Sequence, residues 1–188
     1  LVSSAFGVGG GPLADSKTTS LLLCRAAEEL AQRHAVSSVE IRGGSAPEGW
    51  QTITGKHANF SRSLAADREA ELLAIPRKAR AEVRKSLQSP LEIVTGRSAN
   101  DLAAFYPCYA ASVHNLGTPV FPRQLFAAVL DHFGEDADII TALHDGQAVS
   151  SVLSLYHDGA VMPFWGGGGF AARALKANER CYFELMDH

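Results

Sequence analysis

Three apolar segments near the end of the chain decide the fold: Asp138–Leu143 (DIITAL), Ala148–Tyr156 (AVSSVLSLY) and Ala160–Trp165 (AVMPFW). They are separated by Asp145-Gly146 and Asp158-Gly159, dipeptides that favour tight hairpin turns because both residues tolerate a positive φ. The arrangement predicts a three-stranded antiparallel meander. Gly166–Gly169 follow it as a glycine loop, and a helix starts at about Ala172.

Upstream of the meander the apolar period changes from strand to helix. Leu125, Phe126, Val129, Leu130 and Phe133 recur at helical spacing, as do Leu102, Phe105, Tyr106, Tyr109 and Val113, although Pro107 interrupts the second set. Asn115–Pro119 breaks the two helices apart, and Leu91–Thr95 reads as a strand ahead of them. Arg77–Leu87 reads as a further helix, for which Pro76 suits the first turn. The order from Leu91 is therefore strand, helix, helix, three hairpin-linked strands, glycine loop, helix.

The first part repeats a simpler pattern. Val2–Phe6 reads as a strand, Gly7–Pro12 as a glycine loop, and Asp15 or Ser16 as the cap of a helix carrying Leu22, Ala26, Ala27, Leu30 and Ala31 on one face. Val39–Arg42 reads as the next strand, Gly43–Gly55 as a loop, His57–Leu64 as another strand, and the stretch up to Ile75 as a linker. Phe6 and the last three glycines of the Gly7–Gly11 loop align with Phe164 and Gly167–Gly169, about one ordinary domain length apart. The expected organisation is two tandem repeats, residues 1–75 giving the back half of one and residues 76–188 the front half of the next. A start at Leu1 without Met, and an end inside a helical pattern, lead to the expectation that the chain is a fragment.

Bulk properties bound the function. The chain has 188 residues, 46% apolar and 20% charged, which supports a globular core. A formal charge of -3 gives no global attraction to DNA or to an anionic membrane. Apolar runs fall well short of a membrane span. Cys24, Cys108 and Cys181 lie far apart with no metal-ligand spacing, so no metal is expected and a cytoplasmic location is. The first glycine stretch fails the GxGxxG pattern at Pro12, and Ser16-Lys17-Thr18 lacks the glycine of a phosphate loop, which removes support for a dinucleotide-dependent enzyme. GxSxG and HExxH are absent, so serine-hydrolase and zinc-protease chemistry gain none either.

The resemblance that emerges is carried by Ile75-Pro76-Arg77-Lys78-Ala79-Arg80 with Val83-Arg84-Lys85, by Phe105-Tyr106 with Tyr109, and by Asn115–Arg123 (NLGTPVFPR). Phe164–Gly168 (FWGGG), Ala177-Asn178, Tyr182, Glu184 and Leu185 complete it, and Ser3–Gly10 looks like the first repeat of the same family. Together these segments resemble FemAB-related proteins of bacterial exosortase and exopolysaccharide systems, acyltransferases of the GNAT superfamily. The resemblance implies an α/β (α+β) fold, a GNAT-like mixed sheet flanked by helices. It implies transfer of an acyl or aminoacyl group to an amine of a cell-envelope or exopolysaccharide precursor, a glycan or peptide. The donor would be acyl-CoA or aminoacyl-tRNA, which makes tRNA a possible partner, with no permanently bound cofactor. The usual GNAT pyrophosphate pattern is missing, which sets ordinary acetyl-CoA chemistry in doubt, and a donor site normally needs the strand after the central helix.

Candidate site residues follow from chemistry. Amine acylation needs a proton acceptor and donors for an oxyanion; His114 and Glu184 are the candidate bases, while His144 and His157 border hairpin turns. Arg77, Lys78 and Arg80 on the basic helix, and Arg123 at a helix start, suit phosphate or carboxylate groups. Asn115, Trp165, Asn178 and Tyr182 are candidates to line a substrate groove between the repeats. Gly166, Gly167, Gly168 and Gly169 are candidates to approach the donor with their backbone N–H groups. The rival reading is a non-catalytic GNAT-like binding module of an envelope polysaccharide system.

Overall fold

The computed structural model describes residues 10–55 and 58–188. The chain forms two compact units, Leu1–Ser61 and Arg62–His188. Pro76 lies in the second of these units.

In the first unit α1 spans Lys17–Arg33, and its start is fixed by Ser16, whose Oγ accepts from the backbone N–H of Thr19. Trp50 Nε1 donates to Glu28 Oε1 at 2.7 Å, which holds the long loop against the helix. The strand expected at Val39–Arg42 is not formed; Arg42 makes a single antiparallel bridge to Gly10. Period-two alternation gives a strand only where a neighbour supplies a ladder of hydrogen bonds. The segments Val2–Phe6 and Gly7–Gly9, and His57, lie outside the described residues. Residues 58–64, expected to continue a strand from His57, carry no strand.

The second unit opens with α2 (Arg68–Ala74) where the sequence reading had a linker. Asp67 caps it, accepting from Ala70 N–H at 2.8 Å. The helix stops at Ile75 and α3 (Arg77–Gln88) begins at once after Pro76. Arg80 Nη1 donates to the carbonyl of Leu73 at 2.7 Å and so terminates one helix from the first turn of the next.

β1 (Glu92–Gly96), β2 (Ala137–His144), β3 (Gln147–His157) and β4 (Ala160–Gly168) form one antiparallel sheet in the order β1-β2-β3-β4. Both foreseen turns have positive φ at each central residue: Asp145 and Gly146, Asp158 and Gly159. Gly166–Gly168, expected in a loop, continue β4 and pair with Val152, Ser151 and Ser150.

Helices cover both faces. α4 (Ala99–Asn115) starts at a capping box between Ser98 and Asp101, and the helix runs through Pro107. With α5 (Arg123–Phe133) it buries Phe105, Tyr109, Phe126 and Leu130 against Ile139 and Leu153 of the sheet. On the opposite face lie α6 (Phe170–Leu175) and α7 (Ala177–Asp187), where one helix was expected. Lys176, in the left-handed conformation, breaks them apart. Ala172, Ala177, Cys181 and Leu185 pack on Ile140, Ala142 and Val152. The structure is thus the α/β arrangement expected from the sequence: a sheet flanked by helices.

Candidate functional site

A groove of about 350 Å³ opens between α3 and α7. Its α3 wall is Ile75, Pro76, Ala79 and Val83, which the turn at Pro76 and the four-residue spacing place on one side. The α7 wall is Asn178, Glu179, Tyr182 and Met186, again one helical stripe, and Arg62 completes the lining. The sequence candidates Asn178 and Tyr182 are thereby brought together. Ser150 Oγ donates to Asn178 Oδ1 at 2.5 Å, so the amide is anchored on β3. Burial pushes the Tyr182 phenol above its ordinary range.

Behind this wall runs a chain of ion pairs. Arg68 Nη1 and Nη2 donate to both oxygens of Glu184, at 2.9 and 2.6 Å, and Arg68 also reaches Asp187. Arg180 Nε donates to Glu184 Oε1 at 2.6 Å. Burial of Glu184 raises its pKa, but the two guanidinium groups outweigh it and hold the carboxyl below the usual range. Glu184 is therefore a weaker proton acceptor than an ordinary carboxylate. Arg68 also stacks on the Phe183 ring, 4.6 Å from its centroid. Glu71, buried in α2, accepts from Arg62 and from Ala65 N–H; the guanidinium and then the amide hold its carboxyl low. Arg62 Nη2 also contacts Met186 Sδ at 3.0 Å.

The remaining candidates sit elsewhere in the unit. Arg77 and Lys78 are exposed on α3, whereas Arg80 is partly buried and engaged with Leu73. His114 and Asn115 are exposed at the end of α4, and Arg123, at the start of α5, donates to the Ala99 carbonyl at 3.3 Å. Between them, Tyr106 Oη donates to the Phe121 carbonyl at 3.0 Å, and Phe121 N–H donates to Tyr109 Oη at 3.5 Å, tethering the connecting loop to α4. Trp165 packs edge-on against Phe126 with ring centroids 5.4 Å apart. It belongs to the core of that face rather than to the α3/α7 groove.

The glycines have packing reasons of their own. A Cβ on Gly167 would stand 2.3 Å from Ser112 Cβ, one on Gly168 2.6 Å from Ala172 Cβ, and one on Gly166 3.1 Å from the Ser151 carbonyl. Side chains at Gly167 and Gly168 would push the helices off the sheet, and one at Gly166 would crowd β3. Gly169, at the start of α6, has open space.

The family described as "Acetyltransferase (GNAT) domain" matches residues 76–188, more than half of the chain and including α3, the whole sheet and α7. The chain belongs to this GNAT family. A search of the curated proteins finds no match. Among solved structures, the crystal structure of FemX is similar in fold, with a TM-score of 0.59 and 11% identity over 64% of this chain. The chain spans 46% of the FemX chain.

Within the second unit, sequence reasoning missed Glu179, Met186 and the α2 segment. Extending the Asn178–Tyr182 stripe by one helical step reaches Met186, and Glu179 lies three residues before Tyr182, so helical periodicity carried the signal. It also missed the contacts at the far end of α7, where Asp138 accepts from Tyr156 Oη at 2.9 Å and pairs with His188 Nε2 at 2.9 Å. Among the described residues no cluster of His, Cys, Asp or Glu gathers to hold a metal ion, and no helix is long and apolar enough to cross a membrane.

Proposed function

We propose that this GNAT domain belongs to a FemAB-type N-acyl or aminoacyl transferase acting on an amine of a cell-envelope or exopolysaccharide precursor. The observation that carries the reading is the GNAT family match over residues 76–188, which contain α3 and α7, together with a likeness in fold to FemX over 64% of this chain. In the reaction the amine nitrogen attacks the acyl carbonyl carbon, a C–N bond forms, and the C–S bond of acyl-CoA or the C–O bond of aminoacyl-tRNA breaks. The amine proton must leave. His114 is the candidate acceptor whose side chain stands exposed, while Glu184 is held by two arginines. Gly169, between β4 and α6, is the one of the four candidate glycines whose neighbourhood leaves space for a donor; Arg77, Lys78 and Arg123 are the candidate cations for its phosphates. Three free, buried cysteines suit the reducing cytoplasm, where both donors are made.

We also propose that residues 1–75 and 76–188 are parts of two tandem GNAT-like repeats of a longer full-length protein, since the chain spans 46% of the FemX chain. The test is transfer by that protein: radiolabelled acyl-CoAs and aminoacyl-tRNAs are offered with diamine and amino-sugar acceptors. Label in an amide product is the expected result. Absence of both transfer and binding overturns the reading. A non-catalytic module is the rival, favoured by the engagement of Glu184, and any turnover excludes it.

A further inference from the structure

We infer that the α3/α7 groove is the seat of the acceptor amine, with Glu179 as counter-ion to its ammonium group and the apolar walls enclosing the stem that carries it. This rests on the transferase reading and assigns one end of its substrate. Two charged side chains line the groove, and they differ in their commitments. Arg62 is engaged by Glu71 and by Met186 Sδ. Glu179 is partly buried and makes no hydrogen bond or ion pair among the described residues; the charge it acts on is Lys176, whose ammonium is paired elsewhere. The neighbouring cations are engaged by other groups: Lys176 Nζ pairs with Glu82 at 2.8 Å, Arg180 with Glu184, and Arg80 with the Leu73 carbonyl. Arg77, Lys78 and Arg84 are exposed on the side of α3 away from Val83. The groove therefore offers a carboxylate without a hydrogen-bonded cation beside an apolar surface.

That combination selects a chemical class. A carboxylate at the edge of an apolar recess binds a positive head group more strongly than it would in open water, because the local dielectric is lower. It repels an acid of the same shape. A volume of about 350 Å³ is near the lower end for small-ligand sites, roughly 300–1,000 Å³, and suits a short alkyl or aryl stem. Asn178, anchored through its Oδ1, has its amide nitrogen left to donate to a carbonyl on the incoming molecule. The ligand class is thus a primary amine on a short apolar stem, next to an amide or ester carbonyl.

The experiment titrates the isotopically labelled chain with hexylammonium, 1-hexanol and hexanoate, following the Ala79 and Val83 methyl signals. Hexylammonium is expected to bind about tenfold more tightly than 1-hexanol, as one charge-assisted contact allows, and hexanoate most weakly. Glu179→Gln should bring hexylammonium to the level of the alcohol and leave the alcohol unchanged. Ala79→Trp, which fills the groove from its exposed edge, should abolish all three. Hexanoate binding as tightly as hexylammonium, or an unchanged affinity in Glu179→Gln, overturns the assignment. In the full-length protein Glu179→Gln should raise KM for the amine about tenfold with a smaller effect on kcat. Amines that bind in the groove of a protein without turnover would sink the transferase reading alone. Turnover whose KM ignores Glu179→Gln would sink the assignment alone.

Discussion

The two faces of the sheet are held by different physics. Towards α4 and α5 the contact is a dry cluster of rings: Phe126 touches Phe105, Tyr109 and Trp165 with centroids 4.9 to 5.4 Å apart. Towards α7 the layer on the sheet is made mostly of small residues, Ala172, Ala177 and Cys181 beside Leu185, and behind it α2 and α3 are fastened by Arg68–Glu184 and Lys176–Glu82. Aromatic packing gives area and fixed shape. Ion pairs at a partly wet surface give direction, with a modest net contribution each. A groove lies on the second face, where helix-to-helix contact is left incomplete.

The widest separation between the faces should appear on deleting Phe126, which is fully buried. Phe126→Ala removes a ring shared by four aromatic neighbours, Phe105, Tyr106, Tyr109 and Trp165, and leaves a cavity, for a loss of about 3–5 kcal/mol in denaturant unfolding. A loss below about 1 kcal/mol would mean the cluster is not the anchor of the unit.

A smaller effect is expected from the opposite change, adding volume where helix and sheet meet most closely. Gly167→Ala places its methyl against Ser112 Cβ and 3.0 Å from the Cys108 carbonyl, so α4 must shift. Overpacking of this kind costs about 1–3 kcal/mol. Gly169→Ala, with open space, is the control and should be near neutral. Equal effects of the two substitutions in thermal unfolding would remove the packing account of the glycines.

These contrasts also explain what could be read from the sequence. The hairpins were legible because Asp145-Gly146 and Asp158-Gly159 specify their turns locally, and α4 and α5 because Phe105, Tyr109, Phe126 and Leu130 keep a helical period. Gly166–Gly168 misled for a non-local reason. Three glycines signal a loop unless a helix lies so close that a strand has no room for side chains, and Ser112 supplies that condition from a distant position and Ala172 from the helix that follows. The helix α2 was hidden by its shortness, and its capping residue Asp67 was its clearest local mark. In the groove, the Asn178 and Tyr182 stripe was legible from helical spacing. The lack of a paired cation at Glu179 was not, since it depends on Glu82 and Glu184 pairing with Lys176 and Arg180 first.

The smallest effect discriminates between the faces by pH. Glu71, Glu184 and Glu82 all have carboxyl pKa values below the ordinary range: Glu71 through Arg62, Glu184 through Arg68 and Arg180 against the opposing effect of burial, and Glu82 through Lys176 and then Lys85, down to about 2. A carboxyl whose folded pKa is lowered stabilises the fold fully above its unfolded value, near 4.3, and loses that contribution as the pH falls through the folded value. Acidification below about pH 4.3 should therefore loosen α2 and its seat on α7 first, while the rings around Phe126, which carry no carboxylate, keep their protection. Amide hydrogen exchange, corrected for its intrinsic pH dependence, should show protection of Leu72 and Leu73 falling before that of Phe126 and Leu130. Arg68→Ala should reproduce the loosening at neutral pH, by roughly 1–2 kcal/mol, since it leaves a partly buried Glu184 with one partner instead of two. Simultaneous loss of both regions would mean that the unit opens as one piece and that the ion pairs do not define a separate, softer face.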